Sequence, residues 1–119
     1  MRRFYHLANC STCRRILEDC GLQVKGFGLH DIRSEGISPE QLDDMKRMAG
    51  SYESLFSRRA VKYKTMGLKG KVLGESDYRM LILEDDTFLK RPVVVLGDRI
   101  FVGSEKATIE ALKEATSAL

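Results

Sequence analysis

The sequence predicts an α/β fold: a mixed four-stranded sheet with packed helices and a helical insertion between the two halves. Three observations predict it. Short apolar segments near both ends read as strands, whereas the middle reads as helices. A strand–helix–strand order at the start calls for a parallel pair joined by a right-handed crossover. A turn at Gly97-Asp98, set between two apolar runs, adds an antiparallel hairpin. The 119 residues fit one domain, with the insertion at roughly residues 38–83.

The elements follow in order. Arg3 to Leu7 reads as the first strand, with Phe4, Tyr5 and Leu7 apolar. Ser11 or Thr12 is the expected cap of the next helix. Cys13, Ile16, Leu17 and Cys20 then share one helical face, and Gly21 ends the helix. Val24 to Ile32 reads as a second strand, although Gly26 and Gly28 weaken it. Ser38-Pro39-Glu40-Gln41 is a capping box with proline in the first turn. Leu42, Met45 and Met48 or Ala49 supply that helix's buried stripe, and Gly50 stops it. A short helix is expected over Ser51–Phe56, a loop over Tyr63–Gly74, and a helix capped by Ser76 that buries Tyr78, Leu81 and Ile82. Val93 to Leu96 is apolar throughout, the mark of a strand covered on both faces. Arg99 to Val102 is the return strand. Ser104 is the expected cap of a last helix with Ile109, Leu112 and Ala115 inward.

Composition bounds the function. The hydrophobic share of 43% supports a core, and a charged share of 31% with no long apolar run argues against a membrane span. The net charge is only +3, with both signs interspersed, so no direct nucleic-acid contact is expected. Arg58-Arg59 and Lys69 to Lys71 read as solvated loops or anion contacts. Met1 to Ala8 lacks the apolar stretch of an export signal, and three cysteines make a poor secreted scaffold. A cytoplasmic location is the expectation.

Chemistry concentrates at Cys10-Ser11-Thr12-Cys13, at the mouth of the first helix. The positive end of a helix lowers a thiol pKa and raises its thiolate fraction. A second thiol three residues on can attack a mixed disulfide and release the first. Cys13 also belongs to the apolar stripe, so resolving thiol and packing residue both stand. Cys20 lies seven residues beyond Cys13. That is about 10.5 Å along a helix, whereas a disulfide needs Cα atoms within about 7 Å. A zinc site needs about four ligands, and beyond the pair only Cys20, His6 and His30 remain. No metal is expected.

Four blocks carry a family resemblance. They are Tyr5-His6 through Cys10-Ser11-Thr12-Cys13-Arg14; His30-Asp31-Ile32-Arg33; Phe56-Ser57-Arg58-Arg59 with Tyr63; and Leu89-Lys90-Arg91-Pro92-Val93-Val94-Val95 followed by Val102-Gly103. Their order and spacing resemble the ArsC-like branch of the thioredoxin fold, the arsenate reductase/Spx/YffB-type proteins, from Phe4 to about Leu112. The resemblance implies that Cys10 is the nucleophile and that Arg59 and Arg91 contact an oxyanion. It implies a cis Pro92 facing the cysteine and a His6 that influences its ionisation. Two departures stand out. Position 13 is normally serine in the glutaredoxin-dependent arsenate reductases and is cysteine here, as in Spx-type regulators. A third arginine of those reductases falls on Val102 when aligned on Ser104-Glu105, so the clamp is incomplete and counts against arsenate.

The expected function is therefore a thiol-dependent reductase related to arsenate reductases. Cys10 attacks, and Cys13 or an external thiol resolves the adduct. No bound cofactor is expected, and the electron donor is glutathione or a redoxin, either thioredoxin or glutaredoxin. The alternative is an Spx-like redox switch that binds the C-terminal domain of the RNA polymerase α subunit. Gly50 lies near the glycine Spx uses for that contact, with the spacing to Arg59 off by one residue.

Overall fold

Val93, Val94 and Val95 are β-branched, with no polar residue among them, and each is at most 1% exposed. That strand is central. The computed structural model describes residues 1–119 and places β3 (Val93–Leu96) between β1 (Arg2–His6) and β4 (Arg99–Val102). With β2 (Gly28–Asp31) they form a mixed four-stranded sheet of order β2-β1-β3-β4. β1 and β2 run parallel, and the other two pairings are antiparallel. The β3–β4 hairpin turns at Gly97, whose φ of 63° suits glycine.

The chain divides into two compact units. One joins Met1–Glu35 to Arg91–Leu119 and holds the sheet, α1 (Ser11–Asp19), α2 (Ile32–Glu35) and a C-terminal helix, Lys106–Thr116. Its core gathers Phe4, Val94 and Phe101 of the sheet with Cys13, Ile16 and Cys20 of the α1 stripe and Leu112 of the last helix. Leu17, Ile109 and Ala115 pack at its edge. The spacing of apolar residues in both helices is therefore the spacing of their buried faces.

The second unit, Gly36–Lys90, lies between those two segments in sequence. It holds α3 (Pro39–Ala49), α4 (Val61–Thr65) and α5 (Glu75–Glu84), with 3₁₀ turns at Glu53–Leu55, Leu68–Gly70 and Asp86–Phe88. The C-terminal helix of the other unit is thus α6. Phe56 organises the second unit's core. Its ring stacks on Phe88 at 5.1 Å and meets Tyr78 at 4.8 Å and the edge of Tyr63 at 6.0 Å. The Ser38–Gln41 capping box forms in both directions, and α3 buries Leu42 and Met45.

Several expectations need correction. β2 starts only at Gly28, because Gly21 to Gly26 forms turns and Val24 is 91% exposed. Gly26, at φ 83°, takes a conformation that breaks a strand. The segment expected as a loop over Tyr63–Gly74 contains the end of α4 and a 3₁₀ turn anchored by buried Leu68. Three caps shift by one or two residues. α5 starts from Gly74, whose N–H donates to Asp77, and α6 from Glu105. The third case is α1, where the cap is Cys10 rather than Ser11 or Thr12. Its C-terminus is as expected: Gly21 sits at φ 60°, with Gly21 and Leu22 N–H groups returning to Glu18 and Leu17 carbonyls.

Candidate active site

The N-terminus of α1 builds the site. β1 ends at His6, and Leu7 to Cys10 turns the chain, with the Cys10 N–H donating to the Leu7 carbonyl at 3.0 Å. Cys10 then adopts extended backbone (φ −89°, ψ 111°), while its carbonyl accepts the first helical bond from Arg14 at 3.1 Å. Its Sγ accepts the N–H of Cys13 at 3.4 Å. A sulfur thus does the capping work usually done by a hydroxyl or carboxylate oxygen. The helix needs an acceptor there, and a thiolate accepts better than a thiol.

The two thiols are driven apart. Partial burial pushes the Cys10 thiol up, but the Cys13 thiol, the N–H groups of Cys13 and Thr12 and the Arg91 charge outweigh it, and its pKa falls. Cys13 is fully buried. Its thiol is pushed up to about 12, first by burial and then by its hydrogen bond to Cys10 and that sulfur's charge. The pair is therefore split: Cys10 ionises more readily than an ordinary thiol, and Cys13 far less readily. All three cysteines are free thiols in this structure. Cys20, buried in the core, has its thiol pushed up by burial.

Arg91 and Pro92 belong to the same unit as the pair. The Arg91–Pro92 bond is cis, and Pro92 is buried. The charge of Arg91 acts on both sulfurs, and its Nη1 is buried without a hydrogen-bond partner. A buried donor left open in this way suits an anionic group, which would satisfy it. Val102 pairs with Val93, and the N–H of Gly103 donates to the Pro92 carbonyl at 2.8 Å. Position 102 thus borders the Arg91–Pro92 segment and contributes an uncharged side chain.

His6 stands opposite Asp31 in the parallel register. Desolvation pushes the Asp31 carboxyl up, but the N–H groups of Ser34 and Arg33 and the charge of His6 outweigh it and hold the carboxyl down. Arg59 belongs to the second unit, where its side chain is exposed and only its backbone N–H is bonded, to Ser57 Oγ at 3.3 Å. Its neighbour Arg58 is occupied, donating to Glu53 at 2.9 Å and to the Tyr78 hydroxyl at 3.0 Å. The amide groups of Thr12 and Cys13 are site groups that side-chain motifs alone do not reveal. Only the cap position reveals them.

Comparison with known proteins places these features. The sequence pattern of the ArsC family matches residues 5–112. The chain is 27% identical over 113 residues to the uncharacterized protein YusI of Bacillus subtilis, covering 90% of this chain and 93% of YusI. It is 25% identical over 116 residues to an arsenate reductase of Haemophilus influenzae, covering 88% and 92% of the two chains. In structure it resembles a putative arsenate reductase from Yersinia pestis, with a TM-score of 0.78, 19% identity and coverage of 95% and 99%. The α/β architecture is thioredoxin-like, with the helical unit falling in sequence between β2 and β3. With a matched span from Tyr5 to Leu112 that includes both cysteines of the pair, Arg59, Arg91 and Pro92, the chain belongs to the ArsC family.

Proposed function

We propose that the chain is a thiol–disulfide reductase in which the Cys10 thiolate opens mixed disulfides that carry an anionic group, such as those of glutathione. One observation carries the reading: Cys10 Sγ caps α1 beside the buried thiol of Cys13 and within the field of Arg91. The thiolate attacks one sulfur of the substrate disulfide, and the other sulfur leaves with the electron pair. Arg91, with its open Nη1, holds the carboxylate of the anionic substrate. Cys13, or an external glutathione, thioredoxin or glutaredoxin, resolves the adduct. Arsenate is disfavoured as a substrate because position 102 supplies valine where a third cation would sit.

The test is a substrate panel of arsenate, glutathione mixed disulfides and protein disulfides, run with Cys10 alkylation against pH in the Cys13→Ser background. We expect an alkylation midpoint below the ordinary thiol value of about 8.5 and turnover of mixed disulfides. Val102→Arg should then improve arsenate binding. A midpoint at or above the ordinary value, or efficient arsenate turnover indifferent to Arg91→Ala, overturns the reading. The buried second thiol also favours a switch, in which a Cys10–Cys13 disulfide alters affinity for the C-terminal domain of the RNA polymerase α subunit. Binding of that domain to one redox form, with no turnover across the panel, would select it.

A further inference from the structure

From Ser54 to Gly74 the chain carries Arg58, Arg59, Lys62, Lys64, Lys69 and Lys71 and no acidic residue, although its total charge is only +3. The segment is folded. At the end of α4 the Met66 N–H donates to the Lys62 carbonyl at 2.9 Å, and the Gly67 N–H to that of Lys64 at 3.0 Å. Gly67, at φ 66°, then reverses the chain, and the 3₁₀ turn Leu68–Gly70 packs back against α4 with Leu68 buried. Two of the cations are taken: Arg58 by Glu53 at 2.9 Å and Lys62 by Asp85 at 2.7 Å. The other four, Arg59, Lys64, Lys69 and Lys71, are exposed and enter no ion pair. Among them Val61 is 76% exposed, Met66 44% and Val72 100%. Single exposed apolar residues are ordinary, but three in one short basic stretch mark a surface.

We infer that the folded Val61–Val72 segment is a docking surface for an acidic segment of a partner protein, one that mixes carboxylates with aliphatic side chains. Charge complementarity selects the occupant. Where a carboxylate of this chain is in reach, as for Lys62, the cation takes it, and the unpaired lysines offer the same contact to a partner. Lysine is a mobile point charge, so it follows carboxylates of varied spacing. Val61, Met66 and Val72 supply apolar area between the charges. The surface is also finite. Glu53 and Asp85 border it through their pairs with Arg58 and Lys62. An anionic bilayer is an extended plane that repels such carboxylates, and interfacial segments usually add aromatic side chains. Here the one aromatic residue is Tyr63, whose ring is turned to Phe56 at 6.0 Å. That also leaves nucleic-acid bases without a stacking platform. The surface lies wholly within Gly36–Lys90 and is independent of the Cys10 chemistry.

The probe is a fluorescein-labelled peptide of glutamate and leucine, titrated into the full chain and followed by anisotropy and by amide NMR shifts. Binding should saturate, weaken as salt rises from about 50 to about 300 mM, and move amides of Val61–Val72 first. The triple variant Lys64→Glu, Lys69→Glu, Lys71→Glu should weaken it at least about 10-fold, and the triple glutamine variant about 3-fold. Val61→Ser with Val72→Ser should weaken this peptide about 3-fold and leave a glutamate–glycine peptide unchanged. Arg47→Glu on α3, outside the surface, should change nothing. Circular dichroism checks that each variant folds. Turnover of a small glutathione mixed disulfide should be the same in the triple variant as in the wild type, so docking and reduction are read separately. Absence of saturable binding, binding indifferent to both triple variants, or shifts centred elsewhere overturns the inference. So does tighter binding to phosphatidylserine vesicles or to a single-stranded oligonucleotide than to the peptide.

Discussion

The two units use their arginine and lysine side chains differently. In Gly36–Lys90 charges pair with one another: Arg79 with Asp43 at 2.8 Å, Arg58 with Glu53 at 2.9 Å and Lys62 with Asp85 at 2.7 Å. In the sheet unit they turn to the backbone. Arg2 reaches the Lys25 carbonyl at 2.6 Å and Lys25 that of Thr116 at 2.9 Å. Arg91 completes the contrast with Arg58. Arg58 is satisfied by a carboxylate and a phenol, whereas Arg91 keeps a buried nitrogen open and lends its charge to Cys10. A satisfied arginine stabilises a fold. An unsatisfied one, held in place by burial, is available to a ligand.

The sharpest way to break this contrast is to remove the chemistry from one unit. Cys10→Ser should abolish reductase turnover while circular dichroism remains that of the wild type, and Cys20→Ser should leave turnover nearly intact. Retained turnover in Cys10→Ser would detach the function from the sheet unit altogether. Next in size is the core of the inserted unit. Phe56→Ala removes a fully buried ring that touches Tyr63, Tyr78 and Phe88 and should cost about 3–5 kcal/mol in urea unfolding. A loss below about 1 kcal/mol would mean that surface pairs, rather than aromatic packing, hold this unit.

The two arginines give a smaller and more pointed comparison. Arg91→Met should raise the alkylation midpoint of Cys10 and weaken an anionic substrate by about 1.5–3 kcal/mol, roughly 10- to 150-fold. Arg58→Met should move neither and cost about 0–1 kcal/mol of stability, the usual scale of an exposed pair. Equal effects on KM would erase the distinction between them. The smallest effect is electrostatic. Arg79 and Tyr52 hold the Asp43 carboxyl down to about 2, and Lys62 and Thr87 hold that of Asp85 down to about 2. Both lie below the ordinary value of about 3.9, so their stabilisation is complete above that value and is lost as pH falls toward about 2. Asp43→Asn should flatten the fall in stability between about pH 4 and pH 2, its cost showing at neutral pH and vanishing toward pH 2.

Much of this was legible in the sequence, and the failures have physical reasons. The strand Val93–Leu96, the Ser38–Gln41 box and the Gly21 stop are local signals that tertiary structure does not oppose. Val24 misled because an apolar residue carries no label saying that Gly26 turns the chain away from the sheet. The Tyr63–Gly74 segment misled in the other direction. Its glycines and lysines suggest a loop, but buried Leu68 gives it an anchor that composition does not show. At the site, Cys10 and Cys13 could be read from spacing. The cap itself could not, because serine and threonine beside Cys10 are better capping residues by type.

Seen from the helix, the bond between Cys10 Sγ and the Cys13 N–H is a statement about reduction potential. A thiolate favoured by the start of α1 makes the reduced protein the better-capped one. Any disulfide that Cys10 enters gives up that charge and weakens the cap. Its reduction therefore regains helix stabilisation along with the thiol, and the potential moves to a less negative value than that of an unstructured pair. The helix thus biases the pair toward accepting electrons, and the amide bonded to Cys10 Sγ sets the direction in which the pair is most easily driven.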